Sequence, residues 1–287
     1  MRFRTEIEPL KASFAIDHAM PVLLLGSCFT DEIGRRLEID GFKVMRNPFG
    51  PLYNPVSIAR CVTDSLSGTV CTDADLVEGP RGYHCLDYST RFSGDAFAVA
   101  DDVNTTRRET AAFACNASVA IITLGSAFVF YTAKGNRPVG NCHKFPADFF
   151  VRRRLSVEEA TDALSDITRH LLAAGIVHVI FTVSPIRHLA DGLHGNTLSK
   201  STLQLAADAI AGHYPDTVTY FPSYEIMLDD LRDYRFYDAD MKHPSPVAVD
   251  YIYQIFADTF FSRETKAEAA DARKRYLAAQ HRTILQS

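Results

Sequence analysis

The stretch Leu23-Leu24-Leu25-Gly26-Ser27-Cys28-Phe29 carries an apolar run into a glycine and then into a serine at the mouth of a helical segment. A short, continuous apolar run that stops at a turn residue reads as a strand buried on both faces. Glycine at its end lets the chain turn tightly and approach a ligand. Ser27 therefore stands at a sheet edge, where amides at a helix amino terminus can stabilise developing negative charge. Outward from this point, further short apolar runs fall at residues 42–45, 119–124, 177–183 and 218–221. Helical periods lie between several of them, at 31–38 before Gly41, 157–173 before Gly175 and 200–211, and one more follows at 246–261. Ser156 and Glu159 have the spacing of a capping box ahead of the second helix. Alternation of this kind predicts an α/β fold, a mostly parallel sheet covered on both faces with ligands at the carboxyl ends of its strands.

Three segments depart from simple alternation. Residues 46–118 form a long insertion between strands 2 and 3, with a helix expected at 55–65 and a small hairpin layer at 83–97. Phe128-Val129-Phe130-Tyr131, a turn at Lys134-Gly135-Asn136 and a return arm at 138–142 read as a hairpin that brings Asn141 back near Phe128. Residues 263–282 read as an Ala-rich charged helix on the outside of the domain or on a second subunit. The division expected is one domain over 1–262 and a C-terminal helical segment over 263–287. Arg152-Arg153-Arg154 and Arg273-Lys274-Arg275 read as solvated faces.

Of the 287 residues, 47% are hydrophobic and 23% charged, which is ample for a core, and no linker composition divides the chain. A net charge of -5 gives no general electrostatic reason to bind nucleic acid or an anionic membrane. The first twenty residues interleave Arg4, Glu6, Glu8 and Asp17 with apolar residues, unlike a signal peptide, and no stretch approaches the ~20 apolar residues of a membrane span. A cytoplasmic location is expected. The six cysteines contain no C-x-x-C pair, so neither a zinc knuckle nor a thioredoxin-type motif is expected. His188, Asp191 and His194 do not define one helix face, and no metal site is assigned to them. Neither G-x-G-x-x-G nor a phosphate-binding G-x-x-x-x-G-K-[ST] follows the first strand, and no cofactor is expected.

The chemistry starts from Ser27, which can serve as a nucleophile or, with Thr30, as a helix cap. Far along the chain, Asp240-Met241-Lys242-His243 spaces an acid and an imidazole so that Asp can hold one ring nitrogen and leave the other free to accept a proton. With Ser27 facing a site, its neighbour Cys28 is expected to point elsewhere as a buried structural thiol. His143 and Lys144 are candidates to line the pocket. Arg187, His188 and Lys200 are candidates to hold an anionic substrate group.

With these residues placed, the chain resembles the GSCFA-domain family, a branch similar to the SGNH (GDSL-like) hydrolases. The resemblance spans roughly residues 20–262. Gly26-Ser27-Cys28-Phe29 is followed in order by Asn47-Pro48-Phe49-Gly50-Pro51-Leu52-Tyr53-Asn54-Pro55, Thr123-Leu124-Gly125-Ser126 and Asn141-Cys142-His143-Lys144. Thr182-Val183-Ser184-Pro185-Ile186-Arg187-His188 and Ser199-Lys200 complete the set. The resemblance implies a three-layer α/β/α sandwich on a flavodoxin-like five-stranded sheet, with Ser27, Asp240 and His243 as a catalytic triad. It also implies oxyanion donors at the Ser27 amide, at Gly50 and at an asparagine after the third strand. Gly125-Ser126-Ala127 lacks that asparagine, so Asn141, with Asn54 as second choice, is expected to supply it. The function expected is a serine esterase acting on an O-acyl ester, O-acetyl included, of a carbohydrate or small molecule. The alternatives are an O-acyltransferase with the same triad and a catalytically inactive binding module. Oligomeric state is left open.

Overall fold

The computed structural model describes residues 4–10, 12–79, 82–90 and 92–284, with side chains to residue 280. In chain order the first elements are β1 (Val22–Gly26), α1 (Cys28–Ile39), β2 (Val44–Arg46), α2 (Pro55–Leu66), β3 (Val77–Gly79), β4 (Gly82–His84), β5 (Ser93–Gly94) and α3 (Ala96–Ala114). There follow β6 (Val119–Leu124), β7 (Phe128–Thr132), β8 (Pro138–Val139), β9 (Phe150–Arg154), α4 (Val157–Ala173) and β10 (His178–Val183). The chain continues through α5 (Gly192–His213), β11 (Val218–Phe221), the single turn α6 (Ser223–Glu225), α7 (Pro246–Phe260) and α8 (Arg263–Ile284).

Five strands form the central sheet in the order β2-β1-β6-β10-β11, every neighbouring pair parallel. Counted within the sheet the order is 2-1-3-4-5, the flavodoxin-like arrangement, whose direction of winding reverses between β1 and β6. All residues of β1 and β6 are buried, as a strand covered on both faces requires. Leu23 and Leu25 enter the core with α2, α4 and α5, whereas Val22 and Leu24 enter the core with α1 and α7. This alternation along one strand makes a three-layer α/β/α sandwich. The capping box forms at the start of α4: Glu159 N–H donates to Ser156 Oγ at 3.1 Å and Ser156 N–H to Glu159 Oε2 at 2.9 Å. No helix among the described residues is long and apolar enough to cross a membrane.

The structure departs from the sequence reading at several points. Strand β2 starts at Val44, not at residue 42, because Gly41 (φ +91°) turns the chain and Phe42 N–H closes back onto Leu37 O at 3.0 Å. Helix α3 occupies 19 residues that were not expected to be helical. The hairpin layer is instead the three-stranded antiparallel sheet β3-β4-β5, and Arg91, inside the 83–97 stretch, lies outside the described residues. The 128–142 hairpin forms with Phe130 opposite Val139, and β9 adds a third strand with Phe130 opposite Arg152. Helix α5 begins eight residues before Lys200, which places that lysine mid-helix. Helix α8 docks on the end of α1, where Arg273 Nε and Nη2 reach the buried Asp40 carboxylate at 2.8 and 2.7 Å. Arg273 thus reaches Asp40 from a face that stays exposed, as read from sequence. The final residues 285–287 of the expected C-terminal segment lie outside the described residues.

Candidate active site

The end of β1 is pinned before the site begins. Gly26 has φ +142°, its amide donates to Asn47 Oδ1 at 2.9 Å, and a Cβ there would sit 2.2 Å from Thr123 O. Ser27 keeps extended backbone as the N-cap residue of α1, and its amide donates to Thr123 O at 3.0 Å. Its side chain makes no capping bond, and the hydroxyl, in a residue only 1% exposed, has no hydrogen-bond partner among the described residues. Cys28 is the first helical residue, and both Ser27 and Cys28 line a cavity of about 420 Å³.

Asp240 and His243 stand on the loop before α7. Asp240 Oδ2 holds His243 Nδ1 at 2.5 Å, while Oδ1 accepts the Lys242 and His243 amides at 2.8 and 2.9 Å. The His243 amide, the imidazole and the Lys242 amide hold the Asp240 carboxyl well below the usual carboxylate range. A proton on Nδ1, facing the carboxylate, leaves Nε2 as the acceptor. That nitrogen lies 3.9 Å from Cys28 Sγ. Thus the imidazole has the thiol, and not the Ser27 hydroxyl, within hydrogen-bond reach, and Cys28 is not a thiol turned away from the site. The physical reason is local. Ser27 continues the strand, whereas Cys28 opens the helix, so the two side chains take different exits from the sheet edge. Burial raises the Cys28 thiol above its ordinary value, and Asp31 pushes the same way. Opposing them, the amides of Cys28 and Phe29 and the Tyr53 hydroxyl favour the thiolate.

Cys28 and Ile186 line the large cavity and also a smaller one of about 230 Å³ that contains His243, Glu32 and Asp238. The large cavity presents Phe128, Phe130, Val139 and Ile186 on its apolar side. Asn141 reaches it as expected, with Oδ1 accepting the His143 amide at 2.8 Å and Nδ2 turned to Ser89 Oγ at 3.4 Å. Asn54 also lines it but caps α2, its Oδ1 accepting from Ser57 N–H at 2.8 Å.

Other expected site residues lie elsewhere. The Gly50 amide donates to Asn47 O at 2.8 Å within a turn at φ +73°, and Gly50 does not line the cavity, so it offers no oxyanion donor. The Ser27 amide is likewise occupied by Thr123 O. His143 Nε2 bonds to Tyr88 O at 2.7 Å and Lys144 is exposed, and neither lines the cavity. Arg187 faces no substrate space in this cavity. It braces the base loop, donating from its amide to Lys242 O at 3.1 Å and from Nη1 to Met241 O at 3.2 Å, with its guanidinium over the Tyr237 ring at 5.3 Å. Lys200 is 1% exposed and ties the ends of β6 and β10 together, Nζ donating to Gly125 O and Ser184 O at 2.7 Å each. Burial lowers its pKa to about 7. His188 does line the cavity, and burial, then Lys200, lowers it to about 4. Among the described residues no group of three or more His, Cys, Asp or Glu is set to hold a metal ion.

Arg152, exposed as read from sequence, also lines the cavity. Its guanidinium lies 4.1 Å over the Phe128 ring and pairs with Asp191, with Nη2 to Oδ2 at 2.8 Å. The signal available in sequence was the alternation of Phe128 and Phe130, whose face pairs with β9.

The sequence model of the GSCFA family matches residues 21–256. The chain belongs to the GSCFA family. Comparison with curated proteins finds no match to this GSCFA protein. Among solved structures, it is similar to a GDSL-like lipase from Bacteroides thetaiotaomicron (TM-score 0.45, 10% identity, 84% of this chain and 87% of that one). It is also similar to a carbohydrate esterase family 3 protein from Talaromyces cellulolyticus (TM-score 0.40, 12% identity, 83% and 95%). A third is a carbohydrate esterase family 2 enzyme with a carbohydrate binding domain from Corynascus thermopiles (Myceliophthora fergusii), with TM-score 0.45, 12% identity and coverage of 90% and 68%. The fold of the GSCFA chain rests on its own strand order.

Proposed function

We propose that this GSCFA protein is a thiol-dependent acyl-ester hydrolase, with Cys28 as nucleophile, His243 as general base and Asp240 orienting the imidazole. The observation that carries the reading is the chain Asp240 Oδ2–His243 Nδ1 at 2.5 Å and His243 Nε2–Cys28 Sγ at 3.9 Å. This replaces the serine nucleophile expected from sequence. Because burial raises the thiol, the proton stays on sulfur until attack begins, and His243 acts as base at that moment.

In the first half-reaction the Cys28 S–H proton passes to His243 Nε2 while sulfur bonds to the ester carbonyl carbon. The oxyanion forms beside the Cys28 and Phe29 amides at the start of α1, which have no intrahelical acceptor. Collapse breaks the C–O bond, and the imidazolium gives its proton to the departing alcohol. In the second, water attacks the thioester as His243 takes its proton, and the thiolate leaves and is reprotonated. The leaving alcohol must lie on the His243 side, and there the smaller cavity carries Glu32 and Asp238, acceptors suited to the hydroxyls of a sugar or polyol. The acyl group lies on the other side, against Phe128 and Val139.

Hydrolysis of p-nitrophenyl acetate and longer acyl esters tests the reading. Cys28→Ala and His243→Ala are expected to lower kcat by about 10³-fold or more with the fold intact, and iodoacetamide to inactivate the wild type by labelling Cys28. Undiminished turnover in Cys28→Ala would overturn it.

A further inference from the structure

Ser27 is the best-placed residue of the cavity that the thiol mechanism leaves without a task. It occupies the N-cap position of α1, yet its side chain makes no capping bond, so a structural role as a helix cap does not explain it. Its hydroxyl is buried and unpartnered among the described residues, and Ser27 lines the same cavity as Cys28. The other serine hydroxyls there are engaged: Ser126 Oγ accepts from Phe128 N–H at 3.0 Å and Ser184 Oγ from Ile186 N–H at 3.3 Å. Thr30 Oγ1 also lacks a partner, but Thr30 does not line the cavity. A buried hydroxyl kept unpaired is costly, and a site that retains one next to its nucleophile is a site in which a ligand atom completes the bond.

The atom it would complete is defined by what else is missing. Beyond the Cys28 and Phe29 amides at the start of α1, the backbone amides nearby are engaged: Ser27 N–H on Thr123 O at 3.0 Å, Gly50 N–H on Asn47 O at 2.8 Å, and Gly125 and Ser126 N–H both on Tyr53 O at 2.8 Å. The sequence has no asparagine in the Gly125-Ser126-Ala127 turn to make up the loss. We infer that the Ser27 hydroxyl is the side-chain oxyanion donor, hydrogen-bonding the carbonyl oxygen of an acyl ester as Cys28 attacks it. The inference rests on Cys28 being the nucleophile. The donor keeps its proton throughout, and the bond strengthens as charge grows on the oxygen, which is the condition for lowering the barrier rather than only binding substrate.

The test compares two reactions at one thiol. Ester turnover builds an oxyanion, whereas alkylation of Cys28 by iodoacetamide does not. Ser27→Ala is expected to lower kcat for p-nitrophenyl acetate by about 10²–10³-fold. Its rate of iodoacetamide alkylation at Cys28 and its melting temperature are expected to match the wild type, since no capping bond is lost. Unchanged turnover in Ser27→Ala, or alkylation that falls in step with turnover, would overturn the inference, the second because Ser27 would then position the thiol. Full turnover in Ser27→Ala with none in Cys28→Ala defeats this inference alone. Loss in Ser27→Ala with full turnover in Cys28→Ala makes Ser27 the nucleophile and defeats the thiol mechanism with it.

Discussion

At the scale of single residues, the Asp240 and His243 pairing is legible in sequence because it is local: three residues of loop bring a carboxylate onto Nδ1 whatever the rest of the fold does. Which neighbour meets Nε2 is not legible, since it depends on the residue at which strand geometry gives way to helix, and that boundary falls between Ser27 and Cys28. His188 was read as a cation for an anionic substrate. Burial and the nearby Lys200 lower it to about 4, so it is neutral at physiological pH. The sign of its effect on stability follows. An unfolded histidine near 6.5 takes up a proton that the folded ring refuses down to about 4. The stability held above pH 6.5 is therefore lost as pH falls through that window. Urea midpoints are expected to fall between pH 7 and 4.5 more steeply for the wild type than for His188→Asn, and parallel profiles would contradict the assignment.

At the scale of elements, apolar periodicity located the central strands and most of the helices and failed where polar residues occupy buried positions. Helix α3 buries Val99, Ala100, Val103, Arg107, Thr110 and Ala114, a stripe interrupted by an arginine that is paired with Asp64 at 2.8 Å and bonded to the Tyr88 hydroxyl at 2.9 Å. Strand β9 was hidden for a different reason: its three arginines are exposed and read as a solvated face until the partner strand is known. The loop that carries the base depends on a neighbouring element, since Arg187 follows β10 and holds Met241, which has φ +58°, and Lys242 by their carbonyls. Arg187→Ala is accordingly expected to lower kcat roughly 10–100-fold through misplacement of His243, with KM little changed. Steady-state kinetics separate this from a substrate-binding role, which would raise KM and leave kcat.

At the scale of the whole molecule, the 2-1-3-4-5 order explains why residues from three distant segments converge. The crevice beyond the carboxyl ends of β1 and β6 is where winding reverses, and Cys28, Tyr53 and Gly125 reach it from successive crossovers. The order of motifs along the chain made this much readable. The docking of α8 was not, because a charged, Ala-rich helix carries no strong apolar stripe and its ties are polar: Lys266 to Asp258, Glu268 to His18 and Arg273 to Asp40. Arg273 reaches Asp40, which is 2% exposed and also accepts from the Tyr253 hydroxyl at 2.9 Å. Arg273→Ala leaves that carboxylate short of its charged partner, and a loss of about 2–3 kcal/mol in urea unfolding is expected. A change within experimental scatter would show that α8 does not contribute through this pair.

Trapping the intermediate distinguishes acylation at sulfur from acylation at the neighbouring hydroxyl. Wild-type protein is mixed with p-nitrophenyl acetate, quenched in acid during turnover, digested and sequenced by tandem mass spectrometry. Acetyl is expected on Cys28, released by neutral hydroxylamine as a thioester. Acetyl on Ser27 with Cys28 unmodified would contradict acylation at sulfur.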